Sequence, residues 1–264
     1  MLTSWPNQFP GLGTSATRLG HRITKMSAGK LKINVYSRGS FIKSHDSFKA
    51  VSDGEADMYH AIEYYWQKNS KALNFFASVP FGLTATEQSA WINYGGGQEL
   101  WDQIGRHFGL KPFLAGNTGV QMGGWFNKQV NTLSDLQGLR IRMPGLGGDV
   151  LMRVGARPIS IPSSKIHDAV RSGKLDATEW FGPWFDYQFG LHKITKYYYY
   201  PGFHEPGTSL SSAINLNLWE SLDDHYRVII ETAMAAENDQ VLAEFNARNI
   251  NALNRLLATN LVKL

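Results

Sequence analysis

The sequence predicts an α/β protein of two lobes, and three patterns predict it. Short apolar strands alternate with helical periods in two series, one before about residue 117 and one after it. Strand-like segments near 117–125 and 205–215 join the two series. A helical pattern then runs almost unbroken over 222–257. Together they put lobe I at 1–117 plus 208–264 and lobe II at 118–207, with a ligand cleft expected between lobes.

In the first series Ala16, Leu19, Ile23 and Met26 recur at helical spacing over 14–27, and Gly29 stops them. Residues 31–36 alternate as a strand, 47–53 read as a helix ended by Gly54, and 57–63 as a buried strand. The stretch 84–109 is helical except for a break at the Tyr94-Gly-Gly-Gly motif, and 111–115 returns as a strand. In the second series Ser134 caps a short helix, 139–143 is a strand and 148–154 a helix. Residues 156–161 follow as a strand, 163–171 as a helix capped by Ser163, and 175–180 and 210–216 as strands. Such a rhythm predicts mostly parallel sheets covered by helices.

Composition removes several classes of function. A hydrophobic share of 43% and an aromatic share of 12% in 264 residues can fill two cores. No apolar run approaches the roughly 18–20 residues of a membrane span. Residues 1–6 have neither the basic start nor the apolar middle of a secretory leader, as expected of a mature or trimmed form. With no cysteine there are no disulfides, zinc–thiolate sites or cysteine nucleophiles. The net charge of +4 is spread along the chain without a basic block, which argues against nucleic acid and mildly favours anionic small molecules.

The stretch from Arg140 to Gly148 carries the sharpest chemistry. Arg140 and Arg142 alternate with apolar residues along one strand. Arg142 is followed at once by Met143, Pro144 and Gly145, which places it at the strand's carboxyl end, where α/β domains open onto a ligand crevice. A guanidinium there fits a carboxylate through two parallel hydrogen bonds; the competing reading is a surface arginine paired with a nearby acid. Glu179 and Trp180 end another strand, and Glu205 sits in a turn after an aromatic run. Two carboxylates with the amide oxygen of Gln121 make a hard-cation set suited to calcium. Each acid taken alone reads more readily as an ordinary ion-pair or turn residue. The acids lack helical His spacing, which argues against zinc, and His60 and His204 read as packed or hydrogen-bonded. The aromatic clusters Tyr64–Trp66, Trp180–Phe181, Trp184–Phe185 and Tyr197–Tyr200 either wall a ligand or fill the cores. Phosphate-loop, dinucleotide and nucleophile-elbow motifs are absent, and no catalytic constellation stands out.

Six segments then occur in a fixed order: the 61–66 run ending Tyr-Tyr-Trp66, Tyr94-Gly-Gly-Gly97, Met122-Gly-Gly-Trp-Phe126, Gly138-Leu-Arg-Ile-Arg-Met-Pro-Gly145, Glu179-Trp-Phe-Gly-Pro183 and Tyr197-Tyr-Tyr-Tyr-Pro-Gly202. As an ordered set over about residues 5–257, they resemble the extracytoplasmic solute-binding proteins of TRAP transporters, in the subgroup that binds 2-oxo acids and lactate. The resemblance implies a two-lobed periplasmic-binding-protein-like fold with hinge strands and a long C-terminal helix spanning both lobes. It implies a periplasmic protein, not an enzyme, that captures a small 2-oxo or 2-hydroxy monocarboxylate and delivers it to the TRAP membrane subunits. Arg142 is then expected on the ligand carboxylate, and a bridging metal on Gln121, Glu179, the backbone carbonyl of Trp180, and Glu205. Tyr65, Tyr94, Asn117, Gln121, Trp180 and Glu179 complete the ligand-binding set with Arg142. Two carboxylates facing one ion favour calcium over sodium on charge count. Relatives of this kind carry further C-terminal helices, and in the subgroup a swapped helix can build a homodimer, which the end at Leu264 leaves in doubt.

Two other classes compete with a binding protein. A metal-dependent lyase or hydrolase acting on 2-oxo acids would need a general base near the 2-carbon, and no partnered Lys, His or Glu qualifies beyond the expected cation ligands. A glycan-binding module would use the aromatic clusters but leave the arginine and the acids unexplained.

Overall fold

A computed structural model of the chain describes residues 1–37, 39–40, 46–159 and 161–259. The chain divides into two compact units. One comprises Met1–Ala77, Ala85–Thr118 and Ser209–Glu244; the other comprises Ser78–Thr84, Gly119–Thr208 and the chain from Phe245 onward.

The first unit is built on a four-stranded sheet. Its strands are β1 (Leu2–Thr3), β2 (Met58–Ala61), β3 (Leu110–Asn117) and β9 (Ser209–Asn215), in the order β1-β2-β9-β3. Strand β1 runs parallel to β2, whereas β9 is antiparallel to both β2 and β3. Helix α1 (Gly13–Met26) lays Ala16, Leu19 and Ile23 on a core with Met58, Phe113, Ile214 and Met234, as its spacing predicts. The expected strand over 31–36 shrinks to a single bridge between Leu2 and Tyr36. Its alternation is real, but Leu31, Ile33 and Val35 pack against the α1 core instead of joining a ladder. Helix α2 (Ser47–Ser52) covers the sheet with Phe48, Ala50 and Val51. The break between α3 (Ala85–Tyr94) and α4 (Gly97–His107) is made by Gly96, whose φ of +80° suits glycine and few other residues.

The second unit holds a five-stranded sheet. Its strands are β4 (Gly124–Phe126), β5 (Arg140–Arg142), β6 (Arg157–Pro158), β7 (Ala177–Thr178) and β8 (Tyr197–Tyr199), in the order β6-β5-β7-β4-β8. The β5–β6 and β5–β7 pairs are parallel; β4 is antiparallel to β7 and β8. Both sheets are therefore mixed, against the expectation of mostly parallel ones. The reason is that β9 and β4 each lie between neighbours that run against them. Helix α5 (Gly145–Arg153) starts directly after Pro144, three residues before its expected start. The short 3-10 turn Leu133–Leu136 is anchored by Asp135, which accepts from the backbone N–H of Asn131 and Thr132, so Thr132 and not Ser134 is its N-cap. The α6 helix (Ile166–Arg171) follows a 3-10 turn at Ser163–Lys165; the expected capping side chain of Ser163, and Ser160 in the expected 156–161 strand, lie outside the described residues.

Two elements of this unit escape the sequence patterns. Tyr197–Tyr199 pairs as strand β8, and Pro183–Phe189 forms α7 with Pro183 in its first turn, a favoured start because proline lacks only an N–H that would be orphaned anyway. A buried carboxylate fastens them together. Asp186 accepts from Trp125 Nε1 at 2.8 Å, from the Tyr198 hydroxyl at 2.7 Å and from the Phe181 N–H at 3.2 Å, while the Trp125 and Tyr198 rings stack 3.9 Å apart. Helix α8 (Leu216–Ser221) leads into α9 (Asp224–Ala258), 35 residues long, as the pattern over 222–257 predicts. The division between the units falls within α9, after Glu244. In the second unit Phe245 packs on Trp184 and Phe185, and Asn249 Oδ1 accepts from the Trp184 N–H. Among the described residues no helix is long and apolar enough to cross a membrane.

Candidate functional site

The two arginines of β5 have different fates. Arg140 is held by Asp176 in a two-pronged pair, Nε to Oδ2 at 2.9 Å and Nη2 to Oδ1 at 2.6 Å, and its hydrogen bond holds the Asp176 carboxyl below its ordinary range. Arg142, two residues on, donates from Nη1 to both the backbone carbonyl and Oε2 of Glu179, each at 3.1 Å. Its guanidinium also lies 5.2 Å from the centre of the Trp180 ring, which stacks on Phe189. Among the described residues Nε and Nη2 make no hydrogen bond, and the side chain keeps 17% of its surface exposed. One edge of a planar donor fork is thus anchored and the other is available to a ligand.

Strand pairing brings Arg142 and Glu179 together. Arg142 lies opposite Thr178 across β5–β7, and the Glu179 N–H donates to the Arg142 carbonyl at 2.9 Å. Glu205 arrives on a separate loop tied to the 121–123 segment. Gln121 N–H donates to the Glu205 carbonyl at 3.2 Å, and Gly202 N–H donates to the Gln121 carbonyl at 2.8 Å. A side chain on residue 202 would place its Cβ 2.6 Å from that same carbonyl, so the approach needs glycine. Thr208 links the two expected ligands: its hydroxyl donates to Glu205 Oε2 at 2.7 Å and accepts from Gln121 Nε2 at 3.1 Å.

Glu179, at 2% exposure, and Glu205, at 8%, are both buried, and one oxygen of each lies within 4.8 Å of a ring nitrogen of His204 and of the other. Burial first, and then the charge of Glu179, push the Glu205 carboxyl up to about 7. Burial pulls His204 down, but the Glu179 carboxylate outweighs it and holds the imidazole above its ordinary value. Two buried acids at this range repel unless a proton or a cation sits with them. Buried carboxylate oxygens with a nearby amide are the donors a hard cation takes, so the residues present fit a metal ion.

Of the expected residues, Arg142, Glu179, Trp180, Glu205 and Gln121 all belong to the second unit. Tyr65, Tyr94 and Asn117 belong to the first. Tyr65 packs partly against that unit's core, Tyr94 is 95% exposed at the end of α3, and Asn117 is buried at the end of β3, where it donates to the Ser209 hydroxyl. His204 and Thr208 were not expected at the site. His204 shows no metal spacing along the chain, yet folding carries it to Glu179, 25 positions away; its adjacency to Glu205 is the one sequence signal.

Family membership follows from comparison with known proteins. Residues 3–264 match the model of DctP, the bacterial extracellular solute-binding protein, family 7. The chain belongs to this family. A monocarboxylate 2-oxoacid-binding periplasmic protein of Nostoc sp. is 41% identical over 258 residues, covering 98% of this chain and 71% of that protein. The crystal structure of a TRAP periplasmic solute-binding protein from Colwellia psychrerythraea, with bound calcium and pyruvate, superposes with a TM-score of 0.93 at 37% identity, over 99% of this chain and 80% of that one. Another, from Pseudoalteromonas atlantica, with bound sodium and pyruvate, gives 0.91 at 38% identity and the same coverage. This is accordingly a TRAP-type solute-binding protein, of an extracytoplasmic family, and not an enzyme.

Proposed function

We propose that this solute-binding protein captures a small 2-oxo or 2-hydroxy monocarboxylate, of the pyruvate or lactate class, together with a calcium ion, and hands it to TRAP membrane subunits. The observation that carries the reading is the free edge of Arg142 beside the paired acids Glu179 and Glu205. The ligand's carboxylate would take Nε and Nη2 of Arg142, and its carboxylate and 2-oxygen would face the cation. Gln121, Glu179, the Trp180 carbonyl and Glu205 would hold that cation, and Trp180 would line the ligand. When bound, the cation neutralises the two acids and binds the ligand's oxygens. The relatives crystallised with pyruvate support the ligand class, and between them they hold calcium and sodium. Charge count favours calcium here, since a monovalent ion leaves two buried carboxylates under-neutralised.

Calorimetry of pyruvate and lactate against metal-free protein, with calcium, with sodium and with chelator, tests the proposal. Saturable binding that calcium restores and sodium does not is the expected result. Ligand affinity that chelator leaves unchanged would overturn calcium's role, and no affinity for any 2-oxo or 2-hydroxy acid would overturn the ligand class.

A further inference from the structure

We infer that His204 is itself a ligand of the cation held by Glu179 and Glu205, and that its imidazole tilts the site toward a first-row divalent ion such as manganese over calcium. The inference rests on the cation reading above. His204 is 2% exposed, and neither Nδ1 nor Nε2 makes a hydrogen bond among the described residues. A buried imidazole with both nitrogens unanswered is costly unless something else answers one of them.

Geometry says what answers it. Nε2 stands 3.8 Å from Glu179 Oε1, too far for a hydrogen bond. Adjacent donors on one ion, with bonds of about 2.0–2.4 Å, lie roughly 3–4 Å apart, and Nε2 and Oε1 stand at that spacing. Arg142 occupies Oε2 of Glu179, so Oε1 is the oxygen that shares space with His204. An oxygen of Glu205 also falls within 4.8 Å of a carboxylate oxygen of Glu179 and of a ring nitrogen of His204. The ring's position is constrained from behind, since a Cβ on Gly147 of α5 would sit 2.6 Å from the His204 Cβ. Calcium takes oxygen ligands almost alone, whereas first-row divalent ions also accept an imidazole nitrogen, manganese being the one among them that still favours carboxylate oxygens.

The test uses metal-free, untagged protein titrated with calcium or manganese, and pulsed electron paramagnetic resonance of the manganese form. The expected result is one manganese per chain, displaced by calcium, bound roughly tenfold tighter than calcium, and showing nitrogen hyperfine coupling from a directly bound imidazole. His204→Gln should abolish the coupling and weaken manganese about tenfold, while calcium affinity stays within about threefold. Calcium-displaceable manganese without nitrogen coupling in the parent protein would overturn the inference, whether or not the variant folds. So would a variant that keeps the coupling, or one that loses both ions equally. If neither ion binds the parent protein, the cation reading itself falls.

Discussion

Arg142→Lys keeps the positive charge and discards the geometry. Lysine could still meet Glu179, but an ammonium cannot hold one acid on Nη1 and offer a second carboxylate the parallel Nε and Nη2 edge. Pyruvate binding should weaken by about 2–4 kcal/mol, the loss associated with a charge-assisted pair in a desolvated site. Calorimetry at fixed calcium measures it, and parent-like affinity would mean that the carboxylate sits elsewhere. Glu179→Gln acts on both partners. It removes one of the two buried charges and loosens Arg142, so affinity for calcium and for pyruvate should fall together, each by at least about tenfold. A variant that lost pyruvate and kept calcium would place Glu179 outside the cation's reach.

Among the elements, the fastening of α7 to β4 and β8 through Asp186 has a pH signature. Burial, outweighing its three hydrogen bonds, raises the Asp186 carboxyl to about 7. The unfolded chain releases that proton near the ordinary value of about 4, so the folded state binds the extra proton between these limits. The stability this group contributes is complete below about pH 4 and is lost as pH rises through about 7. Glu63, buried in the first unit and likewise raised to about 7, adds a slope of the same sign. Denaturant unfolding of the metal-free parent and of Asp186→Asn at pH 4.5 and 7.5 separates them, because Glu63 is common to both. The parent should lose on the order of 3 kcal/mol more than the variant over this interval. At pH 4.5 the variant itself should be less stable by about 1–3 kcal/mol, since an amide cannot accept from Trp125, Tyr198 and Phe181 together. Identical pH slopes would show that Asp186 titrates normally in the folded chain.

For the molecule as a whole, the residues proposed to hold the cation all lie within the second unit, on segments remote in sequence. Calcium binding should therefore slow amide exchange around 121–123, 179–181 and 202–205 together. The amides of β2 and of β3 up to Leu114, in the first unit, should be unchanged by the metal alone. Hydrogen exchange of metal-free and calcium-loaded protein checks this, and protection confined to one of the three segments would contradict a shared ion. Ligand linkage gives a second readout. Pyruvate at about 100 times its dissociation constant should stabilise the calcium form by about 2.7 kcal/mol and the chelated form far less. Thermal unfolding with and without chelator measures the difference, and equal shifts would detach the ligand from calcium.

Much of this molecule was legible in its residues because the relevant forces are local or periodic. Helical spacing fixed α1 and the 35-residue α9, since an apolar face repeats at 3.6 residues wherever a helix packs on a core. The stop at Pro144 and Gly145 told that Arg142 closes its strand. The ordered motifs were specific enough to indicate the family that the whole-chain match establishes. Short elements were less legible, because Tyr197–Tyr199 and Pro183–Phe189 have too few residues for a period to show. Pairing direction was not legible at all, since what makes β9 and β4 antiparallel to their neighbours is the path of the chain between them. Tertiary structure alone decided the company of His204. Nothing within a few residues of it announces Glu179, and only the packing of the 202–205 loop beside the β7 end, with α5 close behind at Gly147, turns its bare ring nitrogens toward two buried acids.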